Sequence, residues 1–405
     1  MLQTHIWQEA SVEANGSVTV SAKIELPKKS LRLWYSIPVE FSTLLTDSCD
    51  PFLVAMMLPA MRHSAPLIVH GKVSPSLLQN LVEFQAAWAC WRPNEYYPIE
   101  ISAEVEEEIP IIASEVAVAA FSGGVDSCFT AFRHRENRCG RQARNLQAGL
   151  MVHGFDIPLE ESLVFDRAAE KSRLILDSLG MKLIPIATNY RQVLPSINWL
   201  DAYGPAIASS LMLLSRSYNV GLIGSAFSYH NLLLPRGSNP VTDPFLSSKA
   251  FQIIHDGAGF DRLGKIKEIG HWQEATQHLR VCWQGAQKDR NCGRCEKCIR
   301  TILGFRALGL SKPACFDQDV TDEQIIGIKG LTAIQLYEME LILQAVKGSV
   351  TDSWVNALEK CITRNRRQMV REQNWTTLKQ SLPPTLLKQW RSLQLRLSSQ
   401  SRYKD

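Results

Sequence analysis

Ser122-Gly123-Gly124-Val125-Asp126-Ser127 is the stretch on which the reading of this 405-residue chain turns. An apolar run at residues 116–121 leads into it, and an apolar helical segment at 128–132 follows. A strand, a glycine turn and a helix in that order bring backbone N–H groups and the positive end of a helix dipole to one point. The paired glycines let the chain turn tightly there, and the hydroxyls of Ser122 and Ser127 add donors. The stretch therefore reads as a phosphate-binding loop. Asp126 would repel phosphate, so its expected role is to hold a magnesium ion, directly or through water. The pattern is neither the GxxxxGKS/T loop nor the GxGxxG turn of dinucleotide-binding sheets.

Further apolar runs recur at 149–152, 181–186, 220–223 and 251–254, with helical stretches such as 163–179 and 203–216 between them. This alternation predicts an α/β fold: βαβ units around a parallel five-stranded sheet with helices on both faces. Ligands of such sheets bind beyond the carboxyl ends of the strands, so the loops at 122–128, 153–156, 188–191, 224–230 and 255–262 are expected to converge. Within or beside them stand His153, Phe155, Asp156, His230, His255 and Lys265. Phe155 offers a ring for stacking on a purine, and His230 and His255 are candidate acid–base groups.

Residues 18–26 and 99–105 alternate in polarity as half-buried strands do, and Ser74-Pro75 opens an apolar-faced helix. Residues 1–112 thus read as an N-terminal α+β domain, bounded by the acidic stretch 104–108 and Pro110. The phosphate-loop domain is placed at 113–315. A helical extension is placed at 316–405, where Leu336, Met339, Leu343 and Val346, then Leu386, Trp390, Leu393 and Leu397, recur at helical spacing.

Nine residues separate Cys282 from Cys292, and Cys292, Cys295 and Cys298 follow one another at x2 spacing. Four thiolates close a tetrahedral shell around zinc and leave no position for water, so a structural site is expected. Lys288, Arg290, Arg294, Lys297 and Arg300 surround the ligands as counter-charges to the net −2 that zinc and four thiolates carry, about one unit per unbalanced thiolate. An iron–sulfur cluster is the alternative for this spacing.

Composition sets limits. Hydrophobic residues make up 45% and charged residues 21%, which suits a globular chain, and a net charge of +4 does not require a nucleic-acid partner. The first ten residues hold His5 and Glu9 and no apolar core, and no uncharged apolar run approaches the roughly 18 residues that span a bilayer. A cytoplasmic protein with reduced cysteines is the expectation.

The Ser122-to-Ser127 pattern resembles the pyrophosphate loop of the N-type ATP pyrophosphatases, SGGxDS. Together with the late cysteine cluster it resembles one branch of them, the 7-cyano-7-deazaguanine synthase family, over residues 115–310. That resemblance implies an adenine nucleotide alpha hydrolase-like sheet, ATP and magnesium as cofactors, a zinc site, and adenylation of the carboxylate of 7-carboxy-7-deazaguanine with release of pyrophosphate. It implies that Ser122, Gly123, Gly124, Val125, Asp126 and Ser127 bind ATP, that His153 and Phe155 flank the adenosine, and that Lys265, in Arg262-Leu263-Gly264-Lys265, faces phosphate as a catalytic residue with Asp126. The tyrosine-proline-aspartate-cysteine segment of the synthases is replaced here by Gly237-Ser238-Asn239-Pro240 and residues 242–248. The added flanking domains resemble those of enlarged relatives encoded in bacterial antiviral operons, which implies a partner-protein amine as acceptor in place of ammonia. Other adenylases of this kind modify tRNA, with a cysteine as sulfur carrier, and Cys128 is the nearest thiol to the loop; a nucleotide-binding scaffold without catalysis is the non-enzymatic alternative.

Overall fold

The computed structural model describes residues 3–348 and 350–381, the last seven by their backbone alone. The strands are β1 (Thr4–Gln8), β2 (Val12–Ala14), β3 (Ser17–Leu26), β4 (Lys29–Pro38), β5 (Leu67–Val73), β6 (Ile101–Glu106), β7 (Ala117–Ala120), β8 (Leu146–His153), β9 (Lys182–Thr188), β10 (Val220–Gly224) and β11 (Gln252–Asp256). The helices are α1 (Asp50–His63), α2 (Pro75–Trp91), α3 (Val125–Arg135), α4 (Ser162–Asp177), α5 (Tyr190–Val193), α6 (Trp199–Met212), α7 (Arg262–Ile269), α8 (Gln273–His278), α9 (Glu296–Ala307), α10 (Asp322–Gly327), α11 (Ala333–Val346) and α12 (Ser353–Ser381). They form two compact units, Met1–Asp319 and Val320–Asp405.

The first unit is α/β, built on one large, mostly parallel sheet in the order β11-β10-β7-β8-β9-β4-β3-β1-β5-β6, with β2 on β3. The five strands read from the apolar runs lie together at one end, all parallel. The sheet does not stop there. β4 pairs antiparallel with β9 through Tyr35–Thr188 and Ser36–Ala187, so the strands of residues 1–112 continue the same sheet. This pairing satisfies the N–H and C=O groups that β9 would otherwise expose as an edge.

Both faces are covered. Val118, Leu150, Ile184 and Ile223 join a core cluster with Ala206, Ala208 and Leu211 of α6 and with α1, which is buried from Asp50 to Met61. On the opposite face Gly149 leaves room for α4, since a side chain there would stand 2.7 Å from Leu176 and 2.8 Å from Phe121. The chain runs from β7 through β8 to β9 on one side, then returns to place β10 and β11 on the other. That reversal makes the gap between the ends of β7 and β10 the place where a ligand fits.

The second unit is helical. Thr321 with Gln324, and Thr332 with Gln335, form capping boxes that start α10 and α11. Asn365 of α12 donates to Ile328 O at 2.9 Å and accepts from Leu331 N at 3.3 Å, holding the turn between them. Leu336, Met339 and Val346 are buried as their spacing predicts, with Ile342 in place of Leu343. Leu386, Trp390, Leu393 and Leu397 lie outside the described residues.

Candidate functional site

The Ser122-to-Ser127 loop leaves β7 at its carboxyl end and enters α3 at Val125. Gly123 has φ +72°, a left-handed conformation that glycine adopts without strain. Ser127 Oγ donates to Gly124 O at 3.1 Å and accepts from Ser122 N at 3.3 Å, so one hydroxyl closes the turn. No side chain caps α3, whose first-turn N–H groups therefore keep their donors and their positive dipole end for the loop.

Asp126 is ringed by cations. Lys265 Nζ lies 3.0 Å from Oδ1 and Arg262 Nη1 lies 3.4 Å from Oδ2. Burial alone raises the pKa of this carboxyl, but Lys265, Arg262 and Lys297 outweigh it and hold Asp126 well below the usual carboxylate range. Lys265 is buried and also donates to Ser225 O. Arg262 is buried as well, and its Nε and Nη2 have no hydrogen-bond partner among the described residues. The local charge balance is positive, a site that favours an anion.

A cavity of about 260 Å³ opens beside the loop, between the ends of β7, β8 and β10. Ser122, Asp126 and Ser127 line one side, while Phe155, Trp199 and Tyr203 line another, with Arg280. The Phe155 and Trp199 ring centroids are 5.1 Å apart and tilted by 55°, and the guanidinium of Arg191 lies 4.9 Å from the Trp199 ring. Aromatic walls beside a turn rich in donors suit a flat, polar, phosphate-bearing ligand.

The structure brings Phe155, Asp156 and Asp126 to the cavity and Lys265 to Asp126, but turns other expected residues elsewhere. His153 stacks on Phe165 at 4.4 Å between centroids, and its Nε2 lies 2.8 Å from Pro158 O. The His255 residue is half-buried with its side chain turned inward, Nδ1 2.8 Å from Asp243 Oδ2 and Nε2 2.9 Å from Ser225 Oγ. His230 is exposed, while Asp156 lines the cavity rim with its side chain half exposed, 3.7 Å from Arg280. Cys128 is buried, which pushes its thiol pKa up. Arg280, Arg262, Trp199 and Tyr203 escaped the sequence reading as site residues. Only the helical spacing of Trp199 and Tyr203, one turn apart at the start of α6, was available to find the last two.

Cys282, Cys292, Cys295 and Cys298 form a cluster able to hold a metal ion, all four sulfurs lying within 4.8 Å of one another. The Cys282–Cys295 and Cys292–Cys298 sulfurs are 3.7 and 3.9 Å apart, against the edge of about 3.8 Å that four Zn–S bonds of ~2.3 Å give a tetrahedron. Gly285 N and Cys295 N each donate at 3.3 Å to a sulfur, of Cys282 and Cys292 respectively. Hydrogen bonding from Cys298, opposed by burial, draws the Cys295 thiol down to about 5, while the bond to Cys295 pushes the Cys298 thiol up and burial raises that of Cys292, so the crowded thiols share their protons unequally.

Comparison with models of protein families, with curated proteins and with solved structures finds no match to the chain. Among the described residues no helix is long and apolar enough to cross a membrane.

Proposed function

We propose that this chain is an ATP-dependent adenylating ligase that converts ATP to AMP and pyrophosphate, activating the carboxylate of a 7-deazaguanine acid for amide formation. The observation that carries the reading is the Ser122-to-Ser127 loop at the carboxyl end of the central parallel strand, ringed by cations and opening on an aromatic-walled cavity. The strand order beneath it agrees with an adenine nucleotide alpha hydrolase-like fold. The resemblance of loop and cysteine cluster to the 7-cyano-7-deazaguanine synthases supplies the substrate class.

In this reading a carboxylate oxygen attacks the α-phosphorus of ATP, the bond to the bridging oxygen breaks, and pyrophosphate leaves. An amine nitrogen then attacks the carbonyl carbon, AMP departs, and the nitrogen gives up a proton. Loop N–H groups, Lys265 and Arg262 stabilise the charge that builds on pyrophosphate as it leaves. Asp126, ionised, a quarter exposed and on the cavity wall, fits the carboxylate ligand of a magnesium ion. When bound, that ion offsets the phosphate charge. Phe155 and Trp199 hold the adenine.

At the cysteine cluster zinc is the reading, because the four sulfurs stand at single-ion separations and a multi-iron cluster spreads its thiolates farther apart. The acceptor is an amine of a partner protein, and the setting is antiviral defence; both points rest on the resemblance of the enlarged chain. Incubation with ATP, magnesium and 7-carboxy-7-deazaguanine should release AMP and pyrophosphate, and the intact mass of a co-expressed partner should rise by one deazaguanine acyl group. Absence of AMP, with and without that partner or ammonia, would sink the ligase reading.

A further inference from the structure

The cysteine cluster and the phosphate loop share a wall. Arg280, two residues ahead of Cys282, donates its backbone N–H to Gly123 O at 2.7 Å and its Nε to Ser122 O at 3.2 Å. A side chain on Gly123 would stand 3.7 Å from Arg280 Cβ, and one on Gly124 would stand 3.6 Å from Arg280 O, so both glycines lie against this segment. Asn291, next to Cys292, ties the segment down: its Oδ1 accepts from Val281 N at 2.9 Å and Cys282 N at 3.2 Å, and its Nδ2 donates to Leu279 O at 2.8 Å.

The other end of the cluster reaches the same place. Lys297 stands between Cys295 and Cys298 in the first turn of α9, and its charge acts on Asp126 and on Arg262. Gly304 of α9 sits on Ile266 of α7, where a side chain would come within 2.8 Å of Cδ1. The helix that carries Lys297 thus rests on the helix that carries Arg262 and Lys265. Arg262 itself is 8% exposed, with two buried nitrogens that have no partner among the described residues, a state that costs free energy until an acceptor arrives.

We infer that Arg262, Arg280 and Lys297 form a diphosphate subsite against the loop at 122–127, and that metal on Cys282, Cys292, Cys295 and Cys298 sets its affinity. The inference rests on the phosphate-loop reading above and adds control by the metal. Four sulfurs on one ion fix both Arg280, through Cys282, and Lys297, through Cys295 and Cys298. Without the ion the segment from 282 to 298 loses its tether, and the cations must be ordered at the expense of anion binding. Linkage makes the effect reciprocal, so pyrophosphate tightens metal binding by the same factor.

The test is calorimetric titration of the full chain with inorganic pyrophosphate in three forms: zinc-loaded wild type, wild type stripped of zinc by a chelator, and zinc-loaded Lys297→Met, which keeps all four cysteines. The expected result is binding to the first and affinity at least about 10-fold weaker for the other two, within the usual span of coupling between sites, with recovery when zinc returns to the stripped protein. Lys297→Met should retain its full zinc content. Equal affinity in all three forms overturns the inference and leaves the phosphate loop standing. Unchanged affinity in Lys297→Met alone also overturns it, whatever the folding state of the stripped protein. Failure of zinc-loaded wild type to bind pyrophosphate removes the phosphate-loop reading itself.

Discussion

Lys265 Nζ stands 3.0 Å from Asp126 Oδ1, a contact across 139 positions of chain that fastens α7 to the first turn of α3. The lysine side chain is 2% exposed and the aspartate 24%, so the pair is shielded chiefly on the cationic side. Asp126→Asn would leave Lys265 and Arg262 facing a neutral amide. We expect it to abolish AMP formation and to cost about 2–3 kcal/mol, below the usual figure for breaking a fully buried pair because Asp126 keeps some water. A urea midpoint and an AMP assay check both; a midpoint and rate equal to wild type would refute the role of the pair.

Acid should expose the same contact. The folded pKa of Asp126 lies below its unfolded value near 3.9, so the unfolded chain takes up this proton first as pH falls. The stability it contributes is therefore present above about pH 4–5 and lost toward the lower, folded value. Between about pH 5 and 3 the wild-type urea midpoint should fall more steeply than that of Asp126→Asn. Parallel slopes would mean that the cations around Asp126 do not hold its charge.

Cys295→Ser tests the metal cluster. Its sulfur lies 3.7 Å from that of Cys282, and its backbone N–H donates to Cys292, so one change removes a ligand and loosens the knuckle. Elemental analysis should show metal well below one per chain. Loss of the ion should lower stability by about 3 kcal/mol or more, a fall of roughly 4–5 °C or more in melting temperature for a unit of this size. Full metal content would remove Cys295 from the ligand set.

The sequence carried the five parallel strands because each is a continuous apolar run between polar loops, a pattern set by burial on both faces. It did not carry β4 as their neighbour. Leu33, Tyr35 and Ile37 alternate inward as any half-buried strand would, and nothing local tells Tyr35 to pair with Thr188. The loop and the four cysteines were legible because their chemistry lies in close spacing. Arg262 and Arg280 were not, since each becomes a site residue only when distant segments fold onto the loop. Lys297 was visible as a counter-charge to the metal, and its field on Asp126 appears only once α9 packs on α7.

Trp199→Ala addresses the cavity. Trp199 lines it beside Phe155 and is held by the Arg191 guanidinium 4.9 Å from its ring. Stacking of a base on an aromatic ring contributes about 1–3 kcal/mol, so the KM for ATP should rise roughly 10- to 100-fold with kcat little changed. Pyrophosphate exchange measures this. A rise confined to the deazaguanine acid would move adenine out of this cavity.

Gly204→Ala tests how the loop after β10 is held. Gly204 lies inside α6, where alanine normally stabilises a helix by up to about 1 kcal/mol. Here a Cβ would stand 1.8 Å from Gly237 O and 2.9 Å from Ser238 N, backbone atoms that cannot rotate away. Gly237 N in turn donates to Leu200 O at 2.8 Å, and Arg236 lies 5.7 Å from the ring of Tyr203, which lines the cavity. The clash should outweigh propensity, costing about 1–3 kcal/mol and raising KM as Tyr203 shifts. Gly259→Ala, with nothing within 4 Å of its Cβ, is the control and should change stability by no more than about 0.5 kcal/mol. If Gly204→Ala were as neutral as Gly259→Ala, the loop would not be pressed against α6 in solution.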